Sequence, residues 1–115
     1  MEIAVVMSDE ILITDVQSAV DLLAAVMFET GCSHMILRKA AISEEFFDLR
    51  TKLAGEVLQK FINYRMKIAI VGDFSMYTSR SLKDFMHESN QGESIYFVNS
   101  EKQAAEKFSA EDSSW

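Results

Sequence analysis

The chain has 115 residues, enough for one compact domain and too few for two ordinary ones. Hydrophobic residues make up 49% and charged residues 25%, which excludes a disordered chain or a collagen-like fibre, and a single cysteine excludes a disulfide scaffold. A formal net charge of −7 sets the chain against phosphate backbones, so no nucleic-acid partner is expected.

No apolar run approaches the roughly 20 residues of a membrane span, so no membrane partner is expected either. The opening "MEIAVVMSDE" lacks the basic start and cleavage site of a signal peptide. Seven methionines and one cysteine suit a reducing interior, and the expectation is a soluble cytoplasmic domain. The charge is unevenly spread. Residues 1–33 hold six acids and no Lys or Arg, whereas residues 34–67 hold seven bases (Arg38, Lys39, Arg50, Lys52, Lys60, Arg65, Lys67) against four acids. Residues 68–115 return to eight acids against four bases. A basic middle segment is ordinarily a solvated helix face; it can also pair with the acidic flanks of another copy, giving a dimer.

In chain order, "EIAVV" and "EILIT" read as two short β runs around "MSDE", a hairpin-like opening. Thr14 and Gln17 have capping-box spacing, and Val16, Ala19, Val20, Leu23, Val26 and Met27 follow as one apolar helix face. Gly31 sits where a left-handed C-terminal cap belongs. "HMILRKAA" is the next strand and "ISEEFFD" a connection. Asp48 or Thr51 can cap a second helix to about Asn63, with Leu53, Ala54, Val57, Leu58, Phe61 and Ile62 inward. "KIAIV" is a central strand covered on both faces, with Ile68, Ile70 and Val71 buried. Ser79 or Ser81 can start a third helix with Leu82, Phe85 and Met86 inward, ending near Asn90 and Gly92. "SIYFVN" is the last strand; Ser100 and Gln103 repeat the capping-box spacing before a last helix with Ala104, Ala105 and Phe108 inward. The order β-β-α-β-α-β-α-β-α predicts an α/β fold with a mixed, mainly parallel sheet of about five strands and four helices. The domain is expected over residues 1–110, followed by a polar tail, 111–115, that frays.

"IAIVGDFSMYTSRSLKDFMHESNQG", with "ITDVQSAVDLL" and "FFDLRTKLAGEVLQKFINYR", resembles a bacterial and archaeal family of uncharacterised single-domain proteins marked by a GDFS motif. The resemblance covers nearly the whole chain and brings no activity with it. A looser resemblance is to STAS domains, the anti-sigma-factor-antagonist fold, whose order is similar. Their loop after the third strand reads like "FIDSSGLG", with a phosphorylatable second serine. Here the stretch is "FFDLRTKLAG": Phe47 and Asp48 match, but Leu49 and Arg50 fill both serine places, and Thr51 lies one place later. The STAS resemblance therefore implies the fold and not the switch.

Ligands of open α/β sheets bind outside the carboxyl ends of the strands. That edge receives Thr14 and Asp15, then Asp48, Arg50 and Thr51, then Asp73, Ser75, Tyr77, Arg80 and Ser81, and last Asn99 and Ser100. Helix N-termini recruit such residues as caps whatever the protein does, but Asp73–Ser81 carries more than one cap requires. The candidate ligand- or partner-binding set is Asp48, Arg50, Thr51, Asp73, Ser75, Tyr77, Arg80 and Ser81. Asp48 and Asp73 would divide acid and base roles only if their environments drove their pKa values apart. "GDFS" lacks phosphate-loop spacing, although a backbone anion nest followed by Arg80 is compatible with it. Within it, Gly72 is expected to need positive φ, Asp73 to accept loop amides and Phe74 to tuck under the sheet edge. Cys32 and His34 share a strand face without further ligand spacing, and nothing orients Cys32 with His87. No catalytic constellation, metal site or cofactor is expected. Two readings follow: a non-enzymatic regulatory or protein-interaction module, or a binder of (or minor enzyme acting on) a small anionic ligand at the carboxyl edge.

Overall fold

The computed structural model describes residues 2–112. Four strands, β1 (Ala4–Val6), β2 (His34–Arg38), β3 (Lys67–Val71) and β4 (Ile95–Val98), alternate with four helices, α1 (Val16–Thr30), α2 (Leu53–Asn63), α3 (Arg80–Gln91) and α4 (Glu101–Asp112). Three short 3-10 turns, at Lys39–Ala41, Glu44–Phe47 and Leu49–Thr51, fill the β2–α2 connection. The strands lie in the order β1-β2-β3-β4, all parallel. Each step to the next neighbour crosses through a helix in the same direction, so α1, α2 and α3 share one face. Leu23, Val57, Phe61 and Leu82 there pack on Met35, Leu37, Ile68, Ile70 and Phe97. The alternate strand positions, Ile36, Ala69, Tyr96 and Val98, meet Ala104 and Phe108 of α4 on the other face. Two covered faces explain why "KIAIV" shows no polar alternation. Val71 at its end is only half-buried, not buried as expected.

The opening hairpin does not form, and the sheet has four parallel strands rather than about five in a mixed arrangement. "MSDE" holds no Gly or Asn to make a two-residue hairpin turn. The second apolar run returns instead to the start of the β2–α2 connection. Leu12 and Ile13 both donate to the Ala41 carbonyl, at 2.7 and 3.0 Å, and Ser43 donates to Ile13 at 2.8 Å. This isolated parallel bridge, Ile13 to Ile42, buries Ile13.

The α1 cap lies one residue beyond the expected Thr14–Gln17 pair. The Asp15 carboxylate accepts from the Ser18 amide at 2.7 Å, and the Ser18 hydroxyl accepts from the Asp15 amide at 3.0 Å. Gln17 instead donates to Asp21. Gly31 ends the helix at φ 70° as expected. Ser79 caps α3 and Ser100 accepts from Gln103 at the start of α4. Asn90, at the end of α3, both accepts from the Phe97 amide and donates to its carbonyl, closing the outer edge of β4. The expected tail lies, beyond Asp112, outside the described residues.

Candidate functional site

All four strands point their carboxyl ends at one edge, so the β2 connection, the GDFS loop and the starts of α1, α3 and α4 converge there. Of the eight predicted residues the structure brings three together in one cleft, pairs two within their own loop and leaves three in separate surroundings. Asp48, Arg50 and Ser81 line an open cleft of about 610 Å³ with Phe47, Leu49 and Ser79. Inside it, Arg50 donates from Nε and Nη2 to the two Asp48 carboxylate oxygens, at 3.0 and 2.9 Å, and its amide adds a third bond at 3.1 Å. The Arg50 side chain and amide hold the Asp48 carboxyl below its ordinary range.

Tyr77 packs against a residue the sequence reading did not select, Lys39. Its ammonium lies 3.0 Å from Glu44 Oε1, while the Tyr77 hydroxyl donates to Glu44 Oε2 at 2.9 Å. The same ammonium stands 5.4 and 5.1 Å over the Phe47 and Tyr77 rings, which are stacked 5.2 Å apart. Burial works against the Lys39 charge, but bonds to Tyr77 and Glu44 outweigh it and raise its pKa. Lys39 in turn draws the Glu44 carboxyl down. Burial moves the Tyr77 phenol up. Phe74 joins the cluster, edge-on to Phe97, so it does tuck under the sheet.

The other polar groups serve their own loops. The Asp73 carboxylate accepts from the Ser75 amide at 2.9 Å, and Ser75 lowers its pKa through hydroxyl and amide alike. The Thr51 hydroxyl faces the Glu45 and Asp48 carbonyls at 2.8 and 2.9 Å and accepts from the Leu53 amide. Arg80 is exposed and has no polar partner among the described residues. Gly72 needs no positive φ, contrary to expectation. A Cβ there would stand 2.6 Å from Lys39 Cβ, so glycine is required by the close approach of the two strand ends.

At the opposite, amino end of the sheet a gap opens between α2 and α3. The gap is a groove of about 450 Å³ with Leu58, Ile62, Phe85 and Ile95 as its apolar lining, and Glu88 and Glu93 as its only charged residues. Sequence periodicity assigned Ile62 to the core, but it is 46% exposed.

A family model described as "Domain of unknown function (DUF4180)" matches residues 1–108. The chain belongs to this DUF4180 family. No curated protein and no solved structure matches it. Family membership assigns no activity, so the chemistry rests on the geometry. Asp48 and Asp73 are both drawn toward the ionised form, and neither is raised as a general acid would be. Among the described residues no cluster of three or more His, Cys, Asp or Glu could hold a metal, and no helix is long and apolar enough to cross a membrane. Cys32 lies at the amino end beside Met27, Tyr64 and Met66, with its thiol 3.9 Å from the Thr30 carbonyl.

Lys39 and Glu44 were hidden because they fall inside a stretch read as strand and connection. The available signal was positional. Lys39 is the first residue past β2, beside the glycine that ends β3.

Proposed function

We propose that this chain is a small non-enzymatic protein-interaction module whose binding face is the α2–α3 groove rather than the polar carboxyl edge. The observation that carries this reading is where the hydrogen bonds of the edge go. Asp15, Ser79 and Ser100 cap helices; Asp48 holds Arg50, Asp73 holds Ser75, and Glu44 holds Lys39 and Tyr77. A catalytic or ligand site aims such groups at an empty position, where they converge on a reacting atom. The groove, by contrast, leaves Ile62 exposed beside other apolar walls, as docking surfaces do. The likeness to STAS domains, which also alternate strands and helices, is compatible with a regulatory role and adds no residue to it. One cysteine and seven methionines support a cytoplasmic setting.

Site-specific photo-crosslinking in native cells tests the reading. A benzophenone side chain at Gln59, in the groove, is expected to trap a protein adduct, whereas one at Ser81, in the edge cleft, is not. Adducts from Ser81 alone would overturn the choice of face. The rival, a small anionic ligand held by Arg50 and Ser81, is addressed by a thermal-shift screen of phosphorylated metabolites. A ligand at 100 times its Kd adds about 2.7 kcal/mol of stability. A shift of that size, lost in Arg50→Ala, would replace the proposal with that rival.

A further inference from the structure

We infer that the groove is filled by a second copy of this chain: two α2 helices pack antiparallel across Gly55, related by a two-fold axis. The inference rests on the groove being the binding face and names its occupant.

The first observation is Gly55 itself. It lies inside α2, where glycine weakens a helix relative to alanine, and a Cβ built on it meets nothing within 4 Å. Nothing within the chain therefore requires a glycine there. It is exposed and lines the mouth of the groove. An exposed glycine in open space is what lets a second helix backbone approach closely.

The second observation is charge. The groove is acidic. At its amino-end side stand Glu88 and Glu93, with no Lys or Arg in the lining. At the other end of α2, the chain entering the helix carries Arg50, whose side chain is 91% exposed, and Lys52, also exposed. A two-fold axis near Gly55 reverses α2 and superposes each end on the other. Lys52 of one copy then comes toward Glu88 and Glu93 of its partner, twice over, while Arg50 stays paired with Asp48. The same reversal brings Lys52 within a helical turn of the partner's Glu56. Ile62 lies about 10 Å along the helix from Gly55, at 1.5 Å per residue. It then comes level with Asp48 and Leu49 of the other copy. An isologous contact of this kind closes on itself and makes a dimer, not a fibre.

The test is sedimentation equilibrium of the full chain over a micromolar-to-millimolar series, with variants. The parent is expected at twice the chain mass. Gly55→Gln places a good helix former in open space, so the isolated chain should be as stable to urea as the parent or more so, while the dimer Kd rises by about tenfold or more. Lys52→Glu and Glu93→Lys should each weaken the dimer, and the double variant should recover most of the loss, since only facing charges couple in this way. A monomer at millimolar concentration would overturn the inference, as would a dimer indifferent to Gly55→Gln or a double charge reversal no tighter than the singles. If the chain is monomeric and the Gln59 crosslink traps a different protein, the homodimer fails while the choice of face stands. If Gln59 traps nothing, that choice fails first.

Discussion

Gly72→Ala is the sharpest test of the fold's internal logic, because the mutation adds one methyl group at a known place. The built Cβ lies 2.6 Å from Lys39 Cβ and 3.1 Å from its Cδ. Ordinary carbon contacts are about 3.5–4.0 Å, so the two groups are about 1 Å too close. The nearest obstacle is a Cβ rather than the far end of a side chain, and a rotamer change cannot move it. The backbone must give, but it is held on both sides. β2 and β3 stay in register to Arg38–Val71, and the Gly72 amide donates to Val98 at 3.0 Å. Displacing Lys39 also disturbs its bond to Glu44 and its place over Phe47 and Tyr77. Overpacking of this kind costs about 1–3 kcal/mol. In a domain of this length that lowers Tm by roughly 4–12 °C. Urea denaturation followed by circular dichroism measures it, with Lys39→Gly as the partner mutation. Removing the obstructing Cβ should make the second change cheaper, giving a favourable coupling in the double-mutant cycle. An alanine variant as stable as the parent, or the same cost in both backgrounds, would refute the close-approach explanation.

Three further outcomes are expected. Asp73→Ala removes the acceptor of the Ser75 amide and should lower the urea midpoint; an unchanged or raised midpoint would mark Asp73 as a residue kept for binding at the expense of stability. Glu44 titrates below its ordinary 4.5 in the folded protein, so its contribution is present above that pH and is lost as pH falls through the folded value. The midpoint gap between parent and Glu44→Gln should therefore be open at neutral pH and close on acidification, and a gap that stays constant would contradict the Lys39 pairing. Phe108→Ala empties the place between the His34 and Tyr96 rings and should cost about 3–5 kcal/mol. A loss no greater than that of a surface substitution would mean that α4 does not hold the second face of the sheet.

The helices were legible because their signals are local. Gly31 at the end of α1, Ser79 at the start of α3 and Ser100 before α4 each act within four residues of themselves, so spacing alone located them. The first strand pair was not legible for the same reason inverted. "EILIT" is as apolar and as short as "EIAVV", and its partner at Ala41–Ser43 is some thirty residues away. Nothing in a short apolar run states whether it folds back on its neighbour or extends a distant ladder; that depends on where β2 ends. Gly72 shows the same limit. Its position after a strand was readable, but the reason for glycine is a side chain contributed by another strand.

The candidate site divides along this line too. Carboxyl-edge residues were easy to enumerate, because parallel topology delivers every βα loop to one place, and hard to interpret, because each helix start there recruits the same Ser, Thr and Asp that a binding site would. What separates the two cases is whether an oxygen is already engaged by its own loop. Asp73 and Thr51 have their partners within six residues, and a local partner is an Asx turn or a cap whatever else surrounds it. Glu44 accepts from Tyr77 across 33 residues, and that contact belongs to tertiary structure alone. The groove was invisible for a complementary reason. Leu58, Ile62 and Phe85 carry the periodicity of core residues, and periodicity identifies a face without saying whether the same chain covers it. In α2 the apolar stripe is wider than the sheet and α1 can cover. Ile62 is what is left over, and Gly55, useless to the fold, sits on the same side.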